Sequence, residues 1–419
     1  MQKVITWWER GLIAALCLSI AMLGIGRLEF VFAGGSISAW SVSRTTFFFW
    51  LIWKVMIWAR FGNSQLGSYK LAIPIPVVLF FTFVTISLLP DFHNAGDYRY
   101  FFFASMHYLM IVDLFSDKKN LRLVYLLLAL LPGLVAVRGI IHDPSVLELS
   151  LMRRFGYPLP HANIAGYLFA VAIPLCLALA IGESGRLRKL SLLSCAAQLL
   201  ALILTYSRGS WLGWLVSMLF FGVALKRIEI GAFVLVAGLL LSFATPLRDR
   251  AFSLVRPQND SSINDRMEAI EAGLKVGLEH PILGMGYGRG RLREGLREIY
   301  GGAGAANDIT RIAHTHNVYV ELFATTGALG LGAFLWLLGQ GLCQILSDAR
   351  RTVGAERVFQ LGIAAAWIAF AITGIWDAPL YHHDIRILFF TLLALIHLHH
   401  HEYALPPSSA GERDKRIKV

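Results

Sequence analysis

Charge is scarce in this sequence. Only 16% of its 419 residues are Asp, Glu, Lys or Arg, while 56% are hydrophobic. That balance excludes an ordinary soluble globular domain. Cysteine is scarce as well. Cys17, Cys176, Cys195 and Cys343 all fall in apolar runs and form no CxxC pair. A disulfide framework is thereby excluded, and all four read as structural. No loop expected on the outer face carries a DxD or ExD pair, which a metal-dependent sugar transferase would need as oxygen ligands for Mg²⁺ or Mn²⁺. HExxH and a Ser-His-Asp elbow are also missing. The Gly-x-Gly-x-Gly run at 284–288 follows no strand, so a nucleotide loop is set aside.

What the chain has instead is length of apolar run. Stretches of about 17 to 25 apolar residues read as transmembrane helices. Twelve can be placed: 11–26, 45–61, 71–89, 99–116, 121–141, 163–182, 189–206, 211–225, 229–246, 316–346, 357–376 and 385–400. The expected fold is an all-α integral membrane protein. Residues 1–246 hold nine spans, 247–315 a long and partly helical loop, 316–402 three more spans, and 403–419 a disordered polar tail. The first span lacks a small-x-small cleavage site and reads as retained.

Alternate short loops are basic, with Lys3 and Arg10, Lys118 and Lys119, Arg186 and Lys189, and Arg350 and Arg351 among them. By the positive-inside rule these face the cytoplasm, and so do both termini. The opposite face has nearly as many cations, but they are arginines with one lysine, Lys275. Arginine's planar fork matches phosphate oxygens two at a time, which suggests phosphate recognition away from the cytosol. Arginine's affinity for lipid headgroups is the plainer alternative.

The long loop has structure of its own. "SSINDRMEAIEAGLKVGLEH" sets Met267, Ile270, Leu274 and Leu278 on one helical stripe, with Ser262 and Asp265 resembling a capping pair. Arg266 then falls in the first turn, where free N–H groups also attract anions. This is either a phosphate grip or an amphipathic helix lying on the membrane. A sharp glycine turn and a basic helix follow, with Arg289, Arg291, Arg293 and Arg297 facing headgroups or a phosphorylated substrate.

Four further constellations carry candidate chemistry. In "HTHNVYVELFATTGALG" a span begins at His316, with Asn317 next and Tyr319 and Val320 one turn on. Histidine is the side chain readiest to take a proton near neutral pH. His314 lies two residues away and on a helix would point elsewhere, so one histidine acts and the other is structural. Glu321 is a second base or partner, deeper in the span, where an ionisable group is costly. In "LTYSRGSWLGW" small neighbours leave Arg208 able to reach a polar ligand, or else it anchors at the interface beside Trp211 and Trp214. In "MRRFGYPLPHANIAGYLFA", Arg153, Arg154, His161 and Asn163 precede a helix. In "GIWDAPLYHHDIRILFF", Asp377, His382, His383, Asp384 and Arg386 precede the last one. Adjacent histidines rarely share one ion, so no metal and no other cofactor is expected. One base with several arginines suits transfer of a diphosphate-linked sugar, whose leaving group needs no general acid.

"YSRGSWLGW", "AIEAGLKVGLEHPILGMGYG" and "HTHNVYVELFATTGALG" together resemble the bacterial O-antigen ligase family, which shares its core with O-antigen polymerases and protein O-oligosaccharyltransferases. "RRFGYPLPHANIAGYL" is similar to another patch of that core. The resemblance implies a GT-C-type glycosyltransferase of the bacterial inner membrane with a periplasmic active site. Such ligases move a finished polysaccharide from undecaprenyl diphosphate to lipid A-core without a metal. The family's base maps onto His316 and its diphosphate-binding arginines onto Arg208 and Arg266. Arg153, Arg154, His161, Asn163, Arg289, Arg291, His314, Asn317, Tyr319, Glu321 and Asp384 stand as further candidate substrate contacts. The expected partners are the lipid-linked glycan, lipid A-core and membrane lipids, with no nucleic acid.

A polymerase would use the same donor chemistry with a second lipid-linked chain as acceptor. A transporter is the rival of another class, but it would show broken helices and midplane charge with internal repeats, and no repeat is evident. If the arginines grip a diphosphate through their forks, Arg208→Lys or Arg266→Lys keeps the charge and should still slow transfer about tenfold or more. Unchanged rates of glycan transfer would count against that grip.

Overall fold

The computed structural model of the chain describes residues 2–25, 28–30, 35–61, 73–88, 96–115, 118–148, 153–231, 261–300 and 314–404. It is helical apart from a short ladder, β1 (Leu28–Phe30) antiparallel to β2 (Gly35–Ile37). In chain order the helices are α1 (Gln2–Ile25), α2 (Ala39–Phe61), α3 (Ile75–Ile86), α4 (Gly96–Leu114), α5 (Lys118–His142), α6 (Ala162–Gly182), α7 (Gly185–Leu204) and α8 (Arg208–Leu225). Then come α9 (Ser261–Glu279), α10 (Arg289–Tyr300), α11 (Val318–Arg351), α12 (Gly354–Thr373) and α13 (His383–Ala404).

Among the described residues, six helices are long and apolar enough to cross a membrane: most of α5, and α6, α7, α8, α11 and α12. The chain is thus a multi-pass membrane protein, with six candidate spans where twelve are expected. Helices α1, α2, α4 and α13 lie at further expected spans, with charged or histidine residues diluting the apolar runs of α2, α4 and α13. The described part of α3 has 12 residues, about 18 Å, short of a hydrocarbon core about 30 Å thick. The expected span 229–246 lies almost wholly outside the described residues, as do 247–260, 301–313 and the tail from 405.

Helix α6 is apolar on every side and buried along most of its length, as a central helix must be. It packs against α5, α7, α8 and α12. Charges between helices are paired: Lys54 of α2 meets Asp113 of α4 at 2.6 Å, and Trp50 Nε1 donates to the same carboxylate at 2.7 Å.

Helix α11 is two helices. Gly327 breaks it at φ 66°, ψ −169°. A break frees backbone groups that no water can satisfy inside a membrane, so other protein must take them. The glycine turn after α9 does this. Met285 N donates to Ala324 O and Gly286 N to Thr325 O, each at 2.9 Å. In return Ala328 N donates to Pro281 O at 2.8 Å and Leu329 N to Ile282 O at 3.3 Å. The small residues of "TTGALGLGAF" therefore serve the break at Gly327, where helix-to-helix packing is the sequence-based expectation.

Helix α9 packs through its small residues. The stripe of Met267, Leu274 and Leu278 faces outward, with Met267 58% and Leu278 69% exposed. The packed face is small: Ala269, Ala272 and Val276 are buried, and Gly273 and Gly277 press on Thr315, Val320 and Phe323. Small residues let two backbones approach closely, and here that outweighs the larger apolar stripe. Ser261 already lies in the helix, so Arg266 sits beyond the first turn.

A Cβ at Gly327 would stand 2.2 Å from Ile282 O, in a left-handed backbone, whereas one at Gly332 would meet nothing within 4 Å. Gly327→Ala should therefore destabilise by about 1–3 kcal/mol, and Gly332→Ala should be neutral or stabilise by up to about 1 kcal/mol. Thermal unfolding followed by tryptophan fluorescence in detergent checks both.

Candidate active site

The site forms where α12 ends and α11 begins. Val318 N donates to Gly374 O at 2.8 Å, joining the two. Asn317 caps α11, its side-chain oxygen accepting from Tyr319 N at 2.9 Å and Val320 N at 3.0 Å. The preceding turn is braced from below. Thr315 N donates to Glu321 Oε2 at 2.5 Å, and Thr315 Oγ1 to Asn317 O at 2.9 Å. Glu321 is fully buried, so its observed contact is to this turn.

His316 precedes the helix and takes a left-handed backbone, φ 54°. That corrects the helical geometry expected of the two histidines. Their rings come together with centroids 4.0 Å apart. His314 Nε2 and His316 Nδ1 each stand 3.9 Å from Asp377 Oδ1. The same oxygen accepts from Ala378 N at 2.8 Å, which fixes the carboxylate. Asp377 is the residue that sequence reasoning passes over in favour of Asp384. Its stretch is conspicuous, but only closure of α12 onto α11 singles it out.

These groups open on a cavity of about 230 Å³, lined also by His161, Asn163, Tyr167, Arg289, Tyr381 and His382. His161 comes from the N-cap of α6, where its Nδ1 accepts from Asn163 N at 3.1 Å. Asn163 Oδ1 accepts from Arg154 Nη2 at 2.7 Å, and Arg154 Nε donates to Thr205 O at 2.8 Å. Arg154 therefore ties the loop before α6 to the turn before α8. Arg153 is bound elsewhere, to Ser145 Oγ at 2.7 Å.

Two arginines converge behind the cluster. Arg266 Nη1 donates to Trp376 O at 2.9 Å, one residue from Asp377. Arg208 opens α8, and a Cβ on its neighbour Gly209 would touch Trp376 Cβ. Arg208 is buried, with interactions inside the protein, which departs from the open reach expected of it. Arg289 lines the cavity and pairs with Asp97 at 3.2 Å. Arg291 holds the glycine turn through Met285 O at 2.9 Å and pairs with Glu294. Tyr319 Oη donates to Ala371 O at 2.8 Å, a helix-to-helix tie. Asp384 does not line the cavity, and its Oδ1 has no hydrogen-bond partner among the described residues. Buried Arg386, another residue that sequence reasoning leaves aside, sits among Tyr100, Tyr287 and Tyr381 at 6.0, 5.9 and 5.8 Å and donates to Asp97 O and Leu380 O.

Burial disfavours charge on the imidazoles. It pushes His316 down to about 4, helped by neighbouring His314 and Arg266 and opposed by Asp377. His314 and His161 are lowered chiefly by burial, and His382 falls to about 3 for the same reason. All four are neutral near pH 7, so each can accept a proton. His314, His316 and Asp377 also present ligand atoms within 4.8 Å of one another, a geometry that can hold a metal ion.

Residues 192–335, roughly a third of the chain, match the family model described as O-antigen ligase. The matched segment takes in the start of α8, both helices of the long loop, the paired histidines and the break at Gly327; Asp377 and His161 lie outside it. No curated protein matches the chain. With its apolar helices the chain is a multi-pass membrane protein, and its residues 192–335 are similar to the O-antigen ligase family.

Proposed function

We propose that the protein is an O-antigen ligase of the bacterial inner membrane, with both termini cytoplasmic and its site facing the periplasm. It takes a polysaccharide from undecaprenyl diphosphate and joins it to a sugar hydroxyl of lipid A-core. The observation that carries this reading is the pair of imidazoles held 3.9 Å from one carboxylate, beside a cavity edged by Arg289 and backed by Arg266.

The reaction is a single displacement. The acceptor hydroxyl gives its proton to His316 as its oxygen bonds to the anomeric carbon. The bond from that carbon to the diphosphate breaks, and undecaprenyl diphosphate leaves with the electron pair. Attack from the opposite face inverts the centre. No metal takes part, because cationic arginines supply the countercharge. Arg266 holds the diphosphate with Arg289 at the cavity edge, Arg208 joins them only by leaving its present contacts, and Asp377 steadies the imidazolium that forms. Glu321 acts indirectly, by holding the turn that carries His316. An imidazole already pushed down to about 4 is a weak base in the free protein. A bound diphosphate adds negative charge nearby and raises it toward the working range.

A polymerase remains the second reading, since the matched family segment does not separate the two acceptors. The purified protein should shift the lipid A-core band on a gel when given undecaprenyl-diphosphate-linked glycan, chelator and no ATP. His316→Ala should slow that shift by about 100-fold or more. Longer glycans on the carrier, with lipid A-core unchanged, would make the protein a polymerase. Neither product would return the transporter reading.

The pH profile follows from the same site. A base works unprotonated, so activity falls as pH drops through its pKa. With His316 lowered to about 4, kcat/KM should stay level down to about pH 5. Asp377→Asn removes an anion that raises His316, so it should move the acid limb to still lower pH while slowing the reaction. A limb at histidine's usual value, unmoved by Asp377→Asn, would contradict the assignment.

A further inference from the structure

We infer that His314, His316 and Asp377 form a binding site for a divalent transition cation of the zinc class, and that an ion held there silences glycan transfer. Two imidazoles and one carboxylate are the donor set of three-ligand zinc sites, which leave a fourth position open. Hard cations are a poor fit, because Mg²⁺ and Ca²⁺ ask for six or more oxygens and this cluster offers one carboxylate. Imidazole suits zinc, copper and nickel.

The geometry is close to what an ion requires. Ligand bonds of about 2.0–2.1 Å in a tetrahedron put donor atoms roughly 3.3–3.4 Å apart. The two histidine–carboxylate spacings are 3.9 Å each, and all three donors fall within 4.8 Å. The histidine–carboxylate spacings must close by about half an ångström and the histidine–histidine spacing by up to about 1.5 Å, a shift open to side chains that are 33%, 29% and 21% exposed. Their cavity gives an ion a way in.

Two features support a site beyond the count of donors. His316 Nδ1 is buried and has no hydrogen-bond partner among the described residues. Asp377 Oδ1 is already oriented by Ala378 N, the kind of outer support that metal ligands depend on. Arg266 and Arg289 nearby oppose a cation, which sets a moderate affinity. Binding stands on this geometry alone. Silencing rests on the proposed role of His316, because an ion on Nδ1 holds the imidazole that must take the acceptor's proton.

The test uses the full chain in detergent, with zinc titrated against a chromogenic chelator and bound metal counted after desalting. A second histidine group, His399 beside Glu356 and His400 beside Asp348, lies at the far end of α13 and could bind metal by itself. The parent protein therefore carries His399→Gln and His400→Gln. One zinc per chain is expected. A lost direct ligand should weaken binding at least as much as a lost outer support, about tenfold or more, in both His314→Gln and Asp377→Asn. Cobalt should give the visible absorption of a tetrahedral site in the parent and lose it in both variants. Equal zinc affinity in parent and variants, each melting like the wild type, would overturn the site.

In the second arm, added zinc should abolish transfer and chelator should restore it. Stoichiometric zinc with transfer unimpaired would sink the silencing and the His316 base together, while the binding arm would stand. A protein inactive without zinc, with zinc still bound at the cluster, would overturn the ligase reading and leave the site intact.

Discussion

The structure turns on one interrupted helix. Inside a membrane, a backbone group without a partner costs several kcal/mol. Around the break at Gly327 four backbone groups bond to the turn at 281–286. That exchange joins the segment carrying α9 and α10 to the membrane helices through main-chain bonds. Two arginines then arrive where they do as a consequence. Arg266 reaches the carbonyl of Trp376, and Arg289 reaches Asp97 and the cavity. The small face of α9, pressed on Thr315 and Val320, completes the clamp against the histidine turn.

Around that clamp the electrostatics have one theme, a proton acceptor kept empty by burial and by positive neighbours. Asp377 works against both, and its position on the turn after α12 makes it the only carboxylate whose proximity raises His316 among the causes that set it. Buried Glu321 lies below and spends one oxygen on the backbone of Thr315. In the proposed reaction this division leaves one carboxylate to answer the charge on the imidazole and the other to shape the turn. Arg386, enclosed by three tyrosines, supports the floor through the carbonyls of Asp97 and Leu380.

Much of this was legible in the sequence, and the failures have physical causes. Apolar run length located α5, α6, α7, α8, α11 and α12, because few charges interrupt their apolar runs. Helices α4 and α13, whose ends carry ions, also stand where spans were expected. The motif around His316 was visible as chemistry, but its geometry was not. A left-handed histidine is rare outside special turns, and nothing local announces one. Gly327 was conspicuous by spacing, yet small residues in a span suggest packing before they suggest a break. For α9 the hydrophobic pattern marked the outward stripe, which suits a helix lying on a membrane, while the packed face of small residues gave no signal. Asp377 and Asp384 are indistinguishable by composition. Only contact between chain segments far apart in sequence separates them.

The most direct measurement is a double-mutant cycle on glycan transfer with His316→Ala, Asp377→Asn and both together. If Asp377 acts through His316, Asp377→Asn should slow the wild-type rate about tenfold or more and change the His316→Ala rate little, since groups working as a unit are not additive. Losses that simply multiply would contradict it, and would mean that the histidine and the carboxylate act on the reaction separately.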